Sequence, residues 1–85
     1  MTMKQQALTG TIISDPKVLK MSPILLFVKI ADTHSGQLIN CLVHKHGLNF
    51  LYQATLGSQI AFYGHYNQRK QFVIDKFMIN AQLSA

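Results

Sequence analysis

The sequence predicts an all-β fold, a small five-stranded barrel with one short helix between the third and fourth strands. Three observations carry that prediction. Apolar residues recur mostly with period two, the spacing of half-buried strands. One stretch only, around Leu48 to Leu56, changes to a helical spacing. The chain has 85 residues, enough for one core and too few for two, so a single domain is expected over 1–85 with its core over about 6–81.

The first strand is read from Ala7 to Ile13, interrupted by Gly10, where a bulge would bend it, and stopped by Asp15-Pro16. From Ile24 to Ile30, the residues Ile24, Leu26, Val28 and Ile30 share the inward face, and Leu25, Phe27, Lys29 and Ala31 the outward one. The cluster Asp32-Thr33-His34-Ser35-Gly36 turns the chain. It returns as a strand from Gln37 to Lys45, with Ile39, Cys41 and Val43 alternating against Leu38, Asn40, Leu42 and His44. Leu48, Leu51, Tyr52 and Leu56 approximate one apolar helix face, with Gly47 before it and Gly57 as its stop.

The fourth strand, Ser58 to Tyr66, sets Ile60, Phe62, Gly64 and Tyr66 against Ala61, Tyr63 and His65, which predicts Phe62 and Tyr66 in the core. A tight basic turn, Asn67-Gln68-Arg69-Lys70, leads to the last strand, Gln71 to Asn80. There Phe72-Val73-Ile74 and Phe77-Met78-Ile79 put apolar residues on both faces, which either a bulge or a subunit contact would explain. The order β-β-β-α-β-β, with a glycine-interrupted first strand, is that of an OB-fold.

Composition narrows the partner. Hydrophobic residues make up 48% of the chain and charged residues 13%, which excludes a disordered segment. Eight Lys and Arg against three acids give a net charge of +5, which favours a polyanion. A single cysteine excludes an internal disulfide framework and fits a reducing cytoplasm. Met1 to Gln6 is polar, with no apolar targeting segment, and the apolar run Pro23 to Val28 is far short of the roughly 20 residues that span a bilayer.

Several stretches resemble the bacterial single-stranded DNA-binding proteins (SSB). Leu8-Thr9-Gly10-Thr11-Ile12-Ile13-Ser14-Asp15-Pro16-Lys17-Val18 is similar to their first strand. Ile39-Asn40-Cys41-Leu42-Val43-His44, the helix after it and Gly57-Ser58-Gln59-Ile60-Ala61-Phe62-Tyr63-Gly64 match in order and spacing, so the likeness covers about Leu8 to Ile79. Typical members continue into a tail with an acidic tip and often stack bases on Trp. Here no acid follows Asp75, and Trp is absent. The short form also looks like the primosomal replication protein PriB, a dimeric relative, and a compact SSB-like protein of a phage or other mobile element is equally compatible. The resemblance implies single-stranded DNA binding in replication, recombination or repair, and a homodimer or homotetramer.

Single-strand binding needs cations for phosphates and flat side chains for bases. The outward face of the second and third strands offers Phe27 and His44 as stackers. Lys29 and Lys45 are phosphate contacts there, Asn40 is a hydrogen-bonding partner and Leu42 an apolar neighbour. Arg69 and Lys70 top the last hairpin, where they would fold over the strand with Phe72 beside them. Seven of the eight cations are Lys, a point charge without the planar fork that reads guanine, so little sequence preference is expected.

Each residue has a plainer alternative. Phe27 would equally pack in a dimer, His44 would be a surface hydrogen-bonding group, the lysines would be solvated, and Arg69-Lys70 is ordinary for a hairpin tip. Tyr63 and His65 suit subunit packing better than DNA contact. Lys4 to Thr9 is a strand edge available to a second copy, and Leu38, Leu42 and Tyr63 are outward apolar residues that need cover. His44-x-His46 near Cys41 lacks a third ligand at motif spacing, and no nucleophile–base pair or phosphate loop exists, so no enzyme, metal or cofactor is expected. The rival function is a protein-interaction module that docks on a helicase or polymerase; RNA is a further ligand that stacking surfaces tolerate.

Overall fold

Alternation builds this molecule strand by strand. The structure, a computed structural model, describes residues 4–80. The elements run β1 (Gln6–Ile12), β2 (Lys17–Met21), β3 (Ile24–Asp32), β4 (Leu38–Val43), α1 (Gly47–Gln53), β5 (Gln59–Tyr66) and β6 (Phe72–Asn80). The polar start at 1–3 and the expected end of the core at 81 lie outside the described residues.

Strands β1, β5, β6, β4 and β3 pair in that order, and β1 pairs again with β3, which closes a five-stranded barrel. Only β4 and β6 run parallel. With α1 between β4 and β5, this is the OB-fold. β2 is an addition to the expected order and lies outside the ring, paired with β3 alone. All five of its side chains are exposed, so no inward–outward alternation marks it in the sequence.

The inward sets of β3 and β4 are as expected: Leu26, Val28, Ile30, Ile39, Cys41 and Val43 are buried, and Ile24 packs at their edge. Ile12, Ile60, Phe62, Phe72 and Ile74 complete the barrel interior. The helix differs from its expected face. Leu48, Leu51, Tyr52 and Leu56 are exposed, Tyr52 to 89%, and Phe50 is fully buried instead. Its ring meets Phe77 edge to face at 5.0 Å. A seven-residue helix offers about two turns, so one anchoring side chain is all it buries. Tyr66 also departs from expectation: it is 38% exposed at the end of β5, its ring against the edge of Phe72 at 5.0 Å.

Gly10 does not mark a bulge. The register runs unbroken through it towards both β5 and β3. Glycine is needed because a Cβ would lie 2.5 Å from the Ala31 carbonyl oxygen, at the point where β1 closes the barrel. The apolar residues on both faces of β6 are explained by a bulge. Tyr63 pairs with Lys76 and Gly64 with Ile74, which leaves Asp75 as the extra residue. Phe72 and Ile74 point inward before it, and Phe77 and Ile79 pack against the core after it.

Candidate nucleic-acid interface

The outward face is assembled by direct pairing. Phe27 stands opposite Leu42, Lys29 opposite Asn40 and Ala31 opposite Leu38. β2 extends the first of these rows by Lys17, opposite Phe27, while Val73 of β6 lies beside Leu42 and His65 of β5 opposite Val73. Paired residues share a face, so His65, Val73, Leu42, Phe27 and Lys17 form one row across the barrel. Phe27, Leu42 and Val73 are half-buried, while Lys17, Lys29 and Asn40 are exposed. The result is an apolar strip with lysines beside it.

The backbone at Lys29 is clamped, which fixes where its side chain leaves the sheet. Its N–H donates to Ser14 Oγ at 3.0 Å, and its carbonyl accepts from the Ile13 N–H at 3.1 Å. At the far end, the turn carrying Arg69 and Lys70 is organised by Asn67. The Asn67 Oδ1 accepts from the N–H groups of Arg69 and Gln71, both at 2.9 Å, and the Asn67 N–H donates to the Gln71 carbonyl at 2.8 Å. Lys70 adopts φ 62° there. Both basic side chains are exposed. Because Phe72 lies beside Cys41 in parallel register, this turn projects towards the Leu38 end of β4.

Phe72 itself is corrected. It is fully buried, with its ring edge to face with Phe62 at 5.1 Å, and takes no part in the outward face. Strand parity explains this: Phe72 shares its face with Ile74, and the two point into the barrel.

His44 and Lys45 lie where β4 ends, and both meet a residue that the sequence pattern did not single out. Asp75 Oδ1 lies 3.5 Å from His44 Nε2 and 3.7 Å from Lys45 Nζ. Its Oδ2 lies 3.5 Å from His65 Nδ1, which Gln5 Nε2 also approaches at 3.5 Å. The signal was the bulge, because the extra residue of a bulge is re-aimed from its strand's ordinary facing. Lys17, Val73 and Asn67 were also missed. Lys17 sits in a strand without alternation, and Asn67 acts through the backbone of its own turn.

His46 stands apart from His44. It caps α1 in the left-handed region at φ 56°. Cys41 faces the core, where burial pushes its thiol up to about 12. Among the described residues, no group of three or more His, Cys, Asp or Glu side chains could hold a metal ion. No helix among them is long and apolar enough to cross a membrane.

No family model matches the chain, and no curated protein matches it in sequence. Solved structures do. The mitochondrial single-stranded DNA-binding protein Rim1 of S. cerevisiae superposes with a TM-score of 0.74 at 18% identity, over 94% of this chain and 97% of that one. The small single-stranded DNA-binding protein of Streptomyces coelicolor gives 0.75 at 13% identity, over 94% and 95%. TiaS, solved with a transfer RNA, AMPCPP and agmatine, gives 0.75 at 16% identity over 94% of this chain but only 19% of its own. At such identities the likeness is one of fold: the chain is an OB-fold domain with the architecture of the single-stranded DNA-binding proteins, matched over nearly the full length of both.

Proposed function

We infer that this protein binds single-stranded DNA with little sequence preference and without catalysis or a cofactor. Its role is to protect or present exposed strands in replication, recombination or repair in the cytoplasm. The observation that carries this reading is the row of Phe27, Leu42 and Val73, bordered by Lys17 and by the Lys29–Asn40 pair. An apolar strip with one flat ring accepts bases, and lysines on its margin accept phosphates without selecting a base. The fold shared with single-stranded DNA-binding proteins supports it. Phe27, Lys29, Asn40 and Leu42 form the centre, with Lys17 added. His44 and Lys45 continue it at one end, and Arg69 and Lys70 at the other.

A second copy completes the molecule as a homodimer, or two dimers as a tetramer. β1 pairs with β3 only from Gly10 onward, so the Gln6–Leu8 edge facing away from β5 carries no strand partner among the described residues. Beside it, Ala7, Tyr63 and Met78 border a shallow apolar groove.

Fluorescence anisotropy with a labelled thirty-nucleotide oligo-dT at two salt concentrations, against a duplex of equal length, tests the reading. Four neutralised phosphates give a slope of log K against log salt of roughly −3. Duplex binding equal to single-strand binding, or no binding at low salt by a folded oligomer, overturns it. The second reading, a PriB-like module that docks on a replication protein, is favoured by exposed Leu48, Tyr52 and Leu56 around α1. Replacing Phe27 and Lys29 together separates the two: a strand binder loses its DNA, whereas a docking module keeps its partner.

A further inference from the structure

Asp75 is out of place on a surface that otherwise suits a polyanion. The chain has three acids. Asp15 follows β1, and Asp32 serves its own turn, where its carboxylate accepts from the Ser35 N–H at 2.7 Å and the Ser35 hydroxyl at 2.8 Å. Asp75 stands at the bulge of β6, in contact with Lys45, His44 and His65 at 3.5–3.7 Å. Its side chain is 17% exposed, against 58%, 41% and 26% for those three, so the carboxylate lies beneath the groups that contact it.

We propose that Lys45, His44 and His65 form a phosphate subsite of the strand-binding face, occupied in the free protein by the carboxylate of Asp75. The reading rests on the strand-binding function above and adds its regulation. Donors from β5 and from the residues that follow β4 converge on one anion, which is what a phosphodiester requires. The contacts are also loose. Charge-assisted hydrogen bonds close to about 2.7–2.9 Å, and partly exposed pairs contribute little, so a strand phosphate displaces the carboxylate without disrupting the fold. Asp75 therefore keeps these donors gathered while lowering the affinity of the face and hiding one phosphate from its salt dependence.

The test is oligo-dT anisotropy across a salt series with the full chain and Asp75→Asn, which keeps the shape and removes the charge. The expected result is binding about fivefold tighter at low salt, with a slope steeper by about 0.7, one further phosphate on a single strand. Lys45→Gln added to Asp75→Asn should cancel the gain. Binding by the parent with equal or weaker binding by Asp75→Asn overturns the proposal and leaves the strand-binding reading standing, with Asp75 a positioning residue. No binding by either chain overturns both. Should Asp75→Asn fail to fold, Lys45→Gln and Lys29→Gln are compared in the parent. A masked Lys45 costs less affinity than Lys29, and equal losses refute the masking.

Discussion

Replacing Phe27 with Ala isolates the stacking contribution from the electrostatic one. The ring is the only Phe, Tyr or Trp in the row from His65 to Lys17, and it is half-buried between Leu42 and Lys17. A base stacked on such a ring contributes about 1–3 kcal/mol, so the variant should bind oligo-dT about 5- to 150-fold more weakly. The fold should tolerate the change. Phe27 points away from the core that its neighbours Leu26 and Val28 fill, so truncation costs less than the roughly 3–5 kcal/mol of a fully buried Phe. The salt dependence is the sharper readout. Phe27 holds no phosphate, so its loss lowers affinity equally at every salt concentration and leaves the slope unchanged. Lys29→Gln should do the reverse, reducing the slope by about 0.7. Anisotropy titrations of both variants at four salt concentrations decide the matter. Affinity within twofold of the parent for Phe27→Ala, or a loss accompanied by a flatter slope, refutes the assignment of the ring as a stacking platform.

Two further predictions concern the core. Phe50→Ala should cost about 3–5 kcal/mol, a large share of the about 4–13 kcal/mol expected for a domain of this length, whereas Tyr52→Ala and Leu48→Ala should stay within about 0.5 kcal/mol; urea unfolding of the three variants checks the order. Cys41 should resist thiol reagents at pH 8 until the barrel unfolds, because burial raises its thiol from an ordinary 9.0 to about 12. The unfolded chain then loses this proton first, so the contribution of Cys41 is intact below pH 9.0 and is lost as pH rises towards about 12. The slope is about 1.4 kcal/mol per pH unit, and Cys41→Ala should show a shallower alkaline loss of stability than the parent.

Much of the barrel was legible because closed sheets impose strict alternation. β3 and β4 pair without a break from Leu26↔Val43 to Ala31↔Leu38, so parity alone sorts Leu26, Val28 and Cys41 inward and Phe27, Lys29 and Asn40 outward. Where a segment lacks that constraint, the pattern is silent or misleading. β2 touches one neighbour and buries nothing, so Lys17 stayed hidden despite lying opposite Phe27. The short α1 contacts the barrel through Phe50, and the more numerous leucines around it mimic a buried face that does not exist. Phe72 was misplaced outward because a hairpin tip rich in cations drew it into the site. Its parity with Ile74 places it in the core.

The bulge in β6 shows how closely fold and surface chemistry are joined here. With unbroken period two, a strand that buries Phe72 and Ile74 would carry Lys76 and Met78 inward and expose Phe77 and Ile79. The extra residue at 75 reverses the parity, so Lys76 and Met78 are exposed and Phe77 reaches Phe50. Gly64 makes room on the opposing strand, where a Cβ would fall 1.8 Å from the Val73 carbonyl oxygen. Barrel closure therefore requires an inserted residue at 75 and a glycine at 64, but it does not require the insertion to be acidic. A neutral polar residue would serve the backbone equally well. The proposed phosphate subsite accounts for the acid: Lys45, His44 and His65 surround its carboxylate at 3.5–3.7 Å.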